Sequence, residues 1–274
     1  MRITVRNARF QQLQTLLTNR TKRGRAGEFL VQGVRPITLA VEHGWQVRTL
    51  LHETDRRLSS WAQEMLQATG AETIAMAPEL LAALAEKDEG ATELLAVVAM
   101  PDDDLDRIPV GPSFLGVAFD RPTQPGNVGA VVRSADAFGA AGLVVTGHAA
   151  DPYDPKSVRA STGSLFALPV VRAASPGQVM DWVEDRRRAG TPVTVVATDE
   201  DGDAAPADVD LTGPVLLAVG NETVGLSKAW REAADVTLAI PMAGAASSLN
   251  ASNAASIVLY EAHRQRLARG GASA

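Results

Sequence analysis

Six short apolar runs, at 114–119, 142–146, 169–171, 193–197, 215–219 and 236–240, punctuate the second half of this 274-residue chain, with helical stretches such as 128–138 and 176–188 between them. A strand that is apolar on both faces must be covered on both. Runs of this kind interleaved with helices therefore predict a mostly parallel sheet with helices on each side. Ligands of such sheets sit beyond the carboxyl ends of the strands. Chemistry is to be sought just after Phe119, Val219 and Ile240.

All three ends run into unusual sequence. After Phe119 comes Asp120-Arg-Pro-Thr-Gln-Pro-Gly-Asn127, then a helix that carries Arg133 on its first turns. Proline and glycine let backbone amides approach a ligand there, and Asn127 stands where it could cap the helix. After Val219 comes Gly220-Asn-Glu222, whose carboxylate could bind a ligand or simply favour a helix start. After Ile240 comes Pro241-Met-Ala-Gly-Ala-Ala-Ser-Ser248-Leu-Asn250, with small residues for close backbone approach and neutral hydrogen-bonding groups at Ser248, Asn250 and Ser252. Taken singly, each segment also reads as an ordinary loop or helix cap. It is their shared position at strand ends that makes them one candidate site.

Residues 1–99 form a separate small α/β region. Phe10, Leu13, Leu16 and Leu17 recur at helical spacing, 19–25 is expected to be a basic loop, and strands at 28–32, 47–51 and 73–75 alternate with helices at 36–42 and 59–67. Residues 100–112, with three prolines and four aspartates, are expected to be a solvated, stiff linker to the region 113–274. The net charge of −6 conceals an asymmetry: residues 1–35 carry +7 and the remainder −13. Screening confines fields to about 8 Å at physiological salt, so a local basic patch can attract phosphates on an acidic protein. Aromatics are only 4% of the chain, which leaves little for stacking on single-stranded bases, so a bound nucleic acid would be recognised by shape and phosphate position.

The absence of cysteine excludes disulfides, thiolate zinc sites and thiol nucleophiles. No apolar run approaches the roughly 18 residues of a membrane span, and Met1 to Arg6 lack the apolar core of a signal peptide, so a cytoplasmic protein without membrane contact is expected. No G-x-G-x-x-G follows the first strand of the second region, which argues against a nicotinamide-dependent enzyme.

The order and spacing of Asn127/Arg133, Gly220-Asn-Glu222 and Ile240-Pro-Met…Ser248-Leu-Asn250 resemble the SpoU (TrmH) family of RNA ribose 2′-O-methyltransferases over about residues 115–260. Lys156-Ser-Val-Arg159-Ala-Ser-Thr-Gly163 also fits. The first region is similar to the L30e-like substrate-binding domain often attached to this family, on the strength of the basic loop, Glu28-Phe-Leu-Val31 and Gly33-Val-Arg35. Within the family, the resemblance is to the 23S rRNA methyltransferases that protect antibiotic producers, avilamycin resistance among them. Thr223 where a small residue is usual, Ala251 in place of valine and Gln32 in place of glutamate depart from the pattern and bear on the shape of the cofactor pocket.

The resemblance implies an α/β fold of SPOUT type with a trefoil knot, a homodimer, and S-adenosyl-L-methionine as methyl donor to a ribose 2′-hydroxyl, with a uridine of 23S rRNA favoured. A tRNA target, or a non-catalytic RNA- or ribosome-binding role, is the alternative. It implies catalytic roles for Asn127, Arg133, Glu222, Asn250 and Ser248, and cofactor contacts from Val219, Gly220, Asn221, Ile240, Met242 and Leu249. Arg20, Lys22, Arg23, Arg25, Arg35 and Arg159 are the expected grips on RNA phosphates. A sulfonium methyl is already electrophilic, so no metal is expected. A guanidinium does not readily give up its proton, so Arg133 is expected to hold a phosphate and stabilise the developing alkoxide rather than act as the base.

Overall fold

The computed structural model describes residues 1–85 and 92–271. The chain divides into two compact units, one of residues 1–101 with 153–167, the other of 102–152 with 168–274.

In the first unit, β1 (Arg2–Ile3), α1 (Ala8–Thr18), α2 (Arg20–Ala26), β2 (Glu28–Gln32), α3 (Val34–Glu42), β3 (Val47–Glu53), α4 (Ser60–Thr69), β4 (Glu72–Met76), α5 (Pro78–Leu84) and β5 (Leu94–Ala99) follow one another. They build a mixed sheet of order β1-β4-β3-β5-β2, in which β5 runs antiparallel to both of its neighbours. The helical spacing of Phe10, Leu13 and Leu16 buries all three against Leu30, Leu51, Ile74 and Leu95. β5 and α5 were not apparent in the sequence.

The expected basic loop at 19–25 is instead helix α2. Asn19 caps it by accepting the Lys22 amide at 3.0 Å, and Gly27 ends it at φ +62°, where only glycine is unstrained. Arg23 of this helix is 2% exposed. Its guanidinium donates to the carbonyls of Leu16 and Leu17 at the end of α1, at 2.9 and 3.0 Å, and pairs with Asp154 at 3.3 Å. This corrects the expectation that Arg23 grips RNA: a side chain so enclosed and so fully used cannot reach a phosphate outside.

In the second unit come β6 (Leu115–Asp120), α6 (Pro125–Ala137) and β7 (Gly142–Thr146). The chain then enters the first unit as α7 (Pro155–Ala160) and α8 (Ser164–Ala167). There Tyr153 and Phe166 flank Phe29, and Trp45 donates its indole N–H to the Phe166 carbonyl at 2.9 Å. Back in the second unit lie β8 (Val170–Ala173), α9 (Pro176–Arg188), β9 (Thr194–Thr198), β10 (Val215–Val219), α10 (Lys228–Ala233), β11 (Val236–Leu238) and α11 (Ala251–Gly271). The six strands form one parallel sheet of order β11-β9-β10-β6-β7-β8. Winding goes outward from β6 through β7 to β8, then restarts on the far side of β6. The carboxyl ends of β6 and β10 therefore flank a topological switch point, where such sheets bind ligands.

The expected linker is corrected too. Leu105 and Ile108, spaced three apart, are buried in the core of the second unit, while Asp103 holds Arg172 at 2.8 Å. Its prolines and aspartates make a strap with one apolar edge rather than a solvated connection. Among the described residues no helix is long and apolar enough to cross a membrane.

Arg266 on α11 gathers four backbone carbonyls, those of Ser113, Phe114, Leu211 and Gly213, at 2.5 to 3.0 Å. Its burial lowers its own pKa, yet the carbonyl partners suit a guanidinium. Arg266→Ala should cost about 2–3 kcal/mol of stability, since it strands acceptors that are hard to satisfy otherwise, and Arg266→Lys should recover less than half. Urea denaturation of the three proteins measures this.

Candidate active site

The loop after β10 is shaped by its glycines. A Cβ on Gly220 would lie 2.5 Å from backbone atoms of Gly225 and Leu226, and Gly225 sits at φ +64°. Asn221 and Gly225 exchange backbone hydrogen bonds at 3.1 Å, and the Asn221 side chain accepts the amides of Thr223 and Val224. This tight loop presents Glu222 to the loop after β6. One Glu222 oxygen accepts the amide and hydroxyl of Thr123, both at 3.0 Å; the other accepts the Gln124 amide at 3.4 Å and the Asn127 side-chain amide at 2.9 Å.

From Asn127 the chain of contacts continues. Its side-chain oxygen accepts from Asn250 Nδ2 at 3.2 Å, and Asn250 Oδ1 in turn accepts the Ser252 amide and hydroxyl at 2.9 and 2.6 Å. Glu222, Asn127 and Asn250 thus form one network that links all three strand-end segments. Two local expectations change. Gln124, not Asn127, is the N-cap of α6, and Asn127 lies inside its first turn. The backbone amides of Thr123 and Gln124, expected to face a ligand, are taken by Glu222.

Half-burial pushes the Glu222 carboxyl up, but its hydrogen bonds from Asn127 and Thr123 outweigh this, so it lies below the ordinary glutamate value. The group is a carboxylate at neutral pH. Its charge suits an acceptor for four donors better than it suits a proton donor.

Beside this network lies a cavity of about 390 Å³, within the usual range for small-molecule sites. Val219, Gly220, Asn221, Glu222, Ile240, Met242, Ser248 and Leu249 line it; Asn127, Arg133 and Asn250 do not. Apolar side chains, a glycine that brings backbone close and carboxylates among the lining residues suit an adenosine with a positively charged tail, so the residues present fit S-adenosylmethionine. Several lining residues were missed in the sequence: Thr198 at the end of β9 with Asp199, Glu200 and Asp201 after it, Val224, and Arg231 of α10. The first four follow an apolar run like the others, and the strand-end rule applied to 193–197 would have found them. Nothing in the pattern pointed to Arg231.

Arg133 lies in the third turn of α6 rather than its first turns. It is exposed and has no partner among the described residues. Of the expected RNA contacts, Arg20, Lys22 and Arg25 are exposed on α2. Arg35 is also exposed and donates to the Thr162 carbonyl at 3.2 Å. Arg159 on α7 is half-buried.

The SpoU rRNA Methylase family matches residues 115–260 and the SpoU L30e-like domain residues 7–96. A 23S rRNA (uridine(2479)-2′-O)-methyltransferase of Streptomyces viridochromogenes is 67% identical over 266 residues, covering 97% of this chain and 93% of that protein. The crystal structure of the SpoU methyltransferase AviRb from the same organism, in complex with AdoMet, superimposes with a TM-score of 0.93 at 67% identity, covering 96% of this chain and 99% of that one. An AdoMet-bound rRNA methyltransferase from Sinorhizobium meliloti gives a TM-score of 0.86 at 29% identity, covering 96% and 97%. With one family domain over its parallel sheet and another over its first unit, this chain belongs to the SpoU family of rRNA methylases.

Proposed function

We propose that this chain transfers a methyl group from S-adenosylmethionine to the ribose 2′-hydroxyl of a uridine in 23S rRNA, and that the modification protects a ribosome from an antibiotic. The observation that carries the reading is the cavity at the carboxyl ends of β9, β10 and β11, beside the Glu222–Asn127–Asn250 network, in a chain 67% identical to an enzyme of that name. Residues 1–99 bind the RNA and residues 113–274 carry the transfer. An enzyme that methylates ribosomal RNA works in the cytoplasm.

When bound, the cofactor supplies an electrophilic methyl on a sulfonium sulfur. Val219, Ile240, Met242 and Leu249 would hold its adenosine, and backbone at Gly220 and Asn221 and the hydroxyl of Ser248 would offer polar contacts. Glu222 holds the loops after β6 and β10 together through fixed hydrogen bonds, and Asn127 and Asn250 carry that order to the start of α11. Positioning of this kind can supply roughly 7–11 kcal/mol of barrier reduction. The O–H bond of the ribose must break as its oxygen takes the methyl. Arg133 binds the nucleotide phosphate and stabilises the developing alkoxide, and a phosphate oxygen or water accepts the proton.

The enzyme works as a homodimer. Support comes from the exposed Ile257 and Tyr260 on α11, a helix packed along α6 through Ser134 and Ser256 at 2.7 Å, and from Arg133 not lining the cavity of its own chain. The sheet carries the trefoil knot of the family. Support is that the crossover 199–214 lies against α11, where Gln265 bonds Pro206, Val209 and Leu211.

Ribose-methylation mapping of all RNA from cells with and without the gene tests the reading. One new mark in 23S rRNA, lost with Arg133→Met while cofactor affinity is retained, is the expected result; a mark confined to tRNA overturns the target. Removing three exposed positive charges (Arg20→Ala, Lys22→Ala, Arg25→Ala) should weaken RNA binding and reduce the slope of log K against log salt by about two to three, measured by filter binding. Glu222 should impose no pH dependence on folding between pH 8 and 5, where it is ionised in both states. Its stabilisation, present above about pH 4.3, should fade as pH falls through its depressed folded pKa. Thermal midpoints of the native protein and Glu222→Gln against pH reveal this as curves that converge in acid.

A further inference from the structure

We propose that Asp120 and Arg121, at the end of β6, are positioning residues that aim the Glu222 loop, a role separate from the groups of the cavity itself. Asp120 is fully buried at the end of a strand whose other residues carry no charge. Its carboxylate accepts from Thr146 Oγ1 at 3.0 Å, from Arg121 Nε at 3.1 Å and from the Ser227 amide at 2.8 Å. Thr146 is itself met by the indole of the buried Trp230 at 3.4 Å.

Arg121 then reaches the same loop from its other side. Its Nη2 donates to the Gly225 carbonyl at 3.3 Å, and its own carbonyl accepts from Asn221 Nδ2 at 2.6 Å. The loop that carries Glu222 is thus held at Asn221, Gly225 and Ser227, all by two consecutive residues about a hundred positions earlier. Ser227, the N-cap of α10, makes no side-chain cap of its own, so Asp120 is what fixes the exit of the loop.

Two features set this apart from ordinary packing. A buried carboxylate is costly unless paired, and an apolar residue would close the strand end more simply; what the charge adds is direction. Arg121 also sits at φ +49°, a left-handed backbone that a long side chain rarely adopts. Such a conformation persists only where its surroundings over-determine it, and here they are the contacts to the loop. Neither residue lines the cavity. Their effect on transfer runs through Glu222 and the backbone from Gly220 to Gly225.

The inference rests on Glu222 belonging to the methyl-transfer site, and the test separates the two. The full-length protein is compared with Arg121→Met, Arg121→Gly and Arg121→Lys, by methyl transfer to rRNA at saturating S-adenosylmethionine, by amide hydrogen exchange and by thermal midpoint. Methionine keeps bulk and removes the guanidinium; glycine also relieves the left-handed backbone. With either, kcat should fall about tenfold to a hundredfold. Exchange at Asn221–Ser227 and Thr123–Asn127 should quicken about tenfold while the strand interiors keep native protection. Lysine, able to reach Asp120 but not to fork toward Gly225, should restore part of both. Native kcat and native exchange in Arg121→Met would overturn the proposal, as would an Arg121→Gly protein of full activity, which would assign the effect to the backbone. If the unmodified protein transfers no methyl group, the functional reading fails, and the local exchange pattern alone decides whether this pair aims the loop.

Discussion

The parallel ladder between β6 and β10, in register from Leu115 opposite Val215 to Phe119 opposite Val219, is the constraint on which the rest of the site depends. It brings two loops a hundred residues apart to the same edge of the sheet. Once there, the loops have unsatisfied amides and a carboxylate within reach of one another, and Glu222 meets Thr123, Gln124 and Asn127. A slip of one residue would turn every strand side chain to the opposite face and break these contacts together.

The network that results is neutral apart from its carboxylate. Donors converge on Glu222, Asn127 donates to it and accepts from Asn250, and Asn250 accepts from the first turn of α11. Such a chain suits fixing geometry more than moving protons. The chemistry asked of this chain is correspondingly modest, because the electrophile arrives already activated. The protein must exclude water, hold the two reactants in line and stabilise one developing negative charge. Arg133 is exposed and does not line the cavity.

Legibility in the sequence followed the strength of local signals. The six strands of the parallel sheet were readable because burial on both faces leaves almost no polar residue within them. Helix α9 was readable as the helical stretch at 176–188 between two apolar runs. Helix α2 was not, because a run of basic residues around Gly24 resembles a solvated loop; what makes it a helix is Asn19 at one end, Gly27 at the other and burial of Arg23 against α1 and Asp154. The strap at 102–112 misled in the same way, its aspartates and prolines outweighing the two apolar residues that dock it.

By itself, the sequence determined the class of the fold, the family, and two of the three strand ends that line the cavity, together with the end of β6 that Glu222 joins to them. Those properties reside in local apolar runs and in motifs whose spacing survives along the chain. Only the tertiary structure decided that Glu222, Asn127 and Asn250 form one network, that Arg23 is a strut rather than an RNA contact, and that Asp120 and Arg121 grip a loop a hundred residues away. Each of these depends on which strand neighbours which and on where a side chain finds its partners. Such pairings arise from long-range packing and hydrogen-bond satisfaction, which no local pattern encodes.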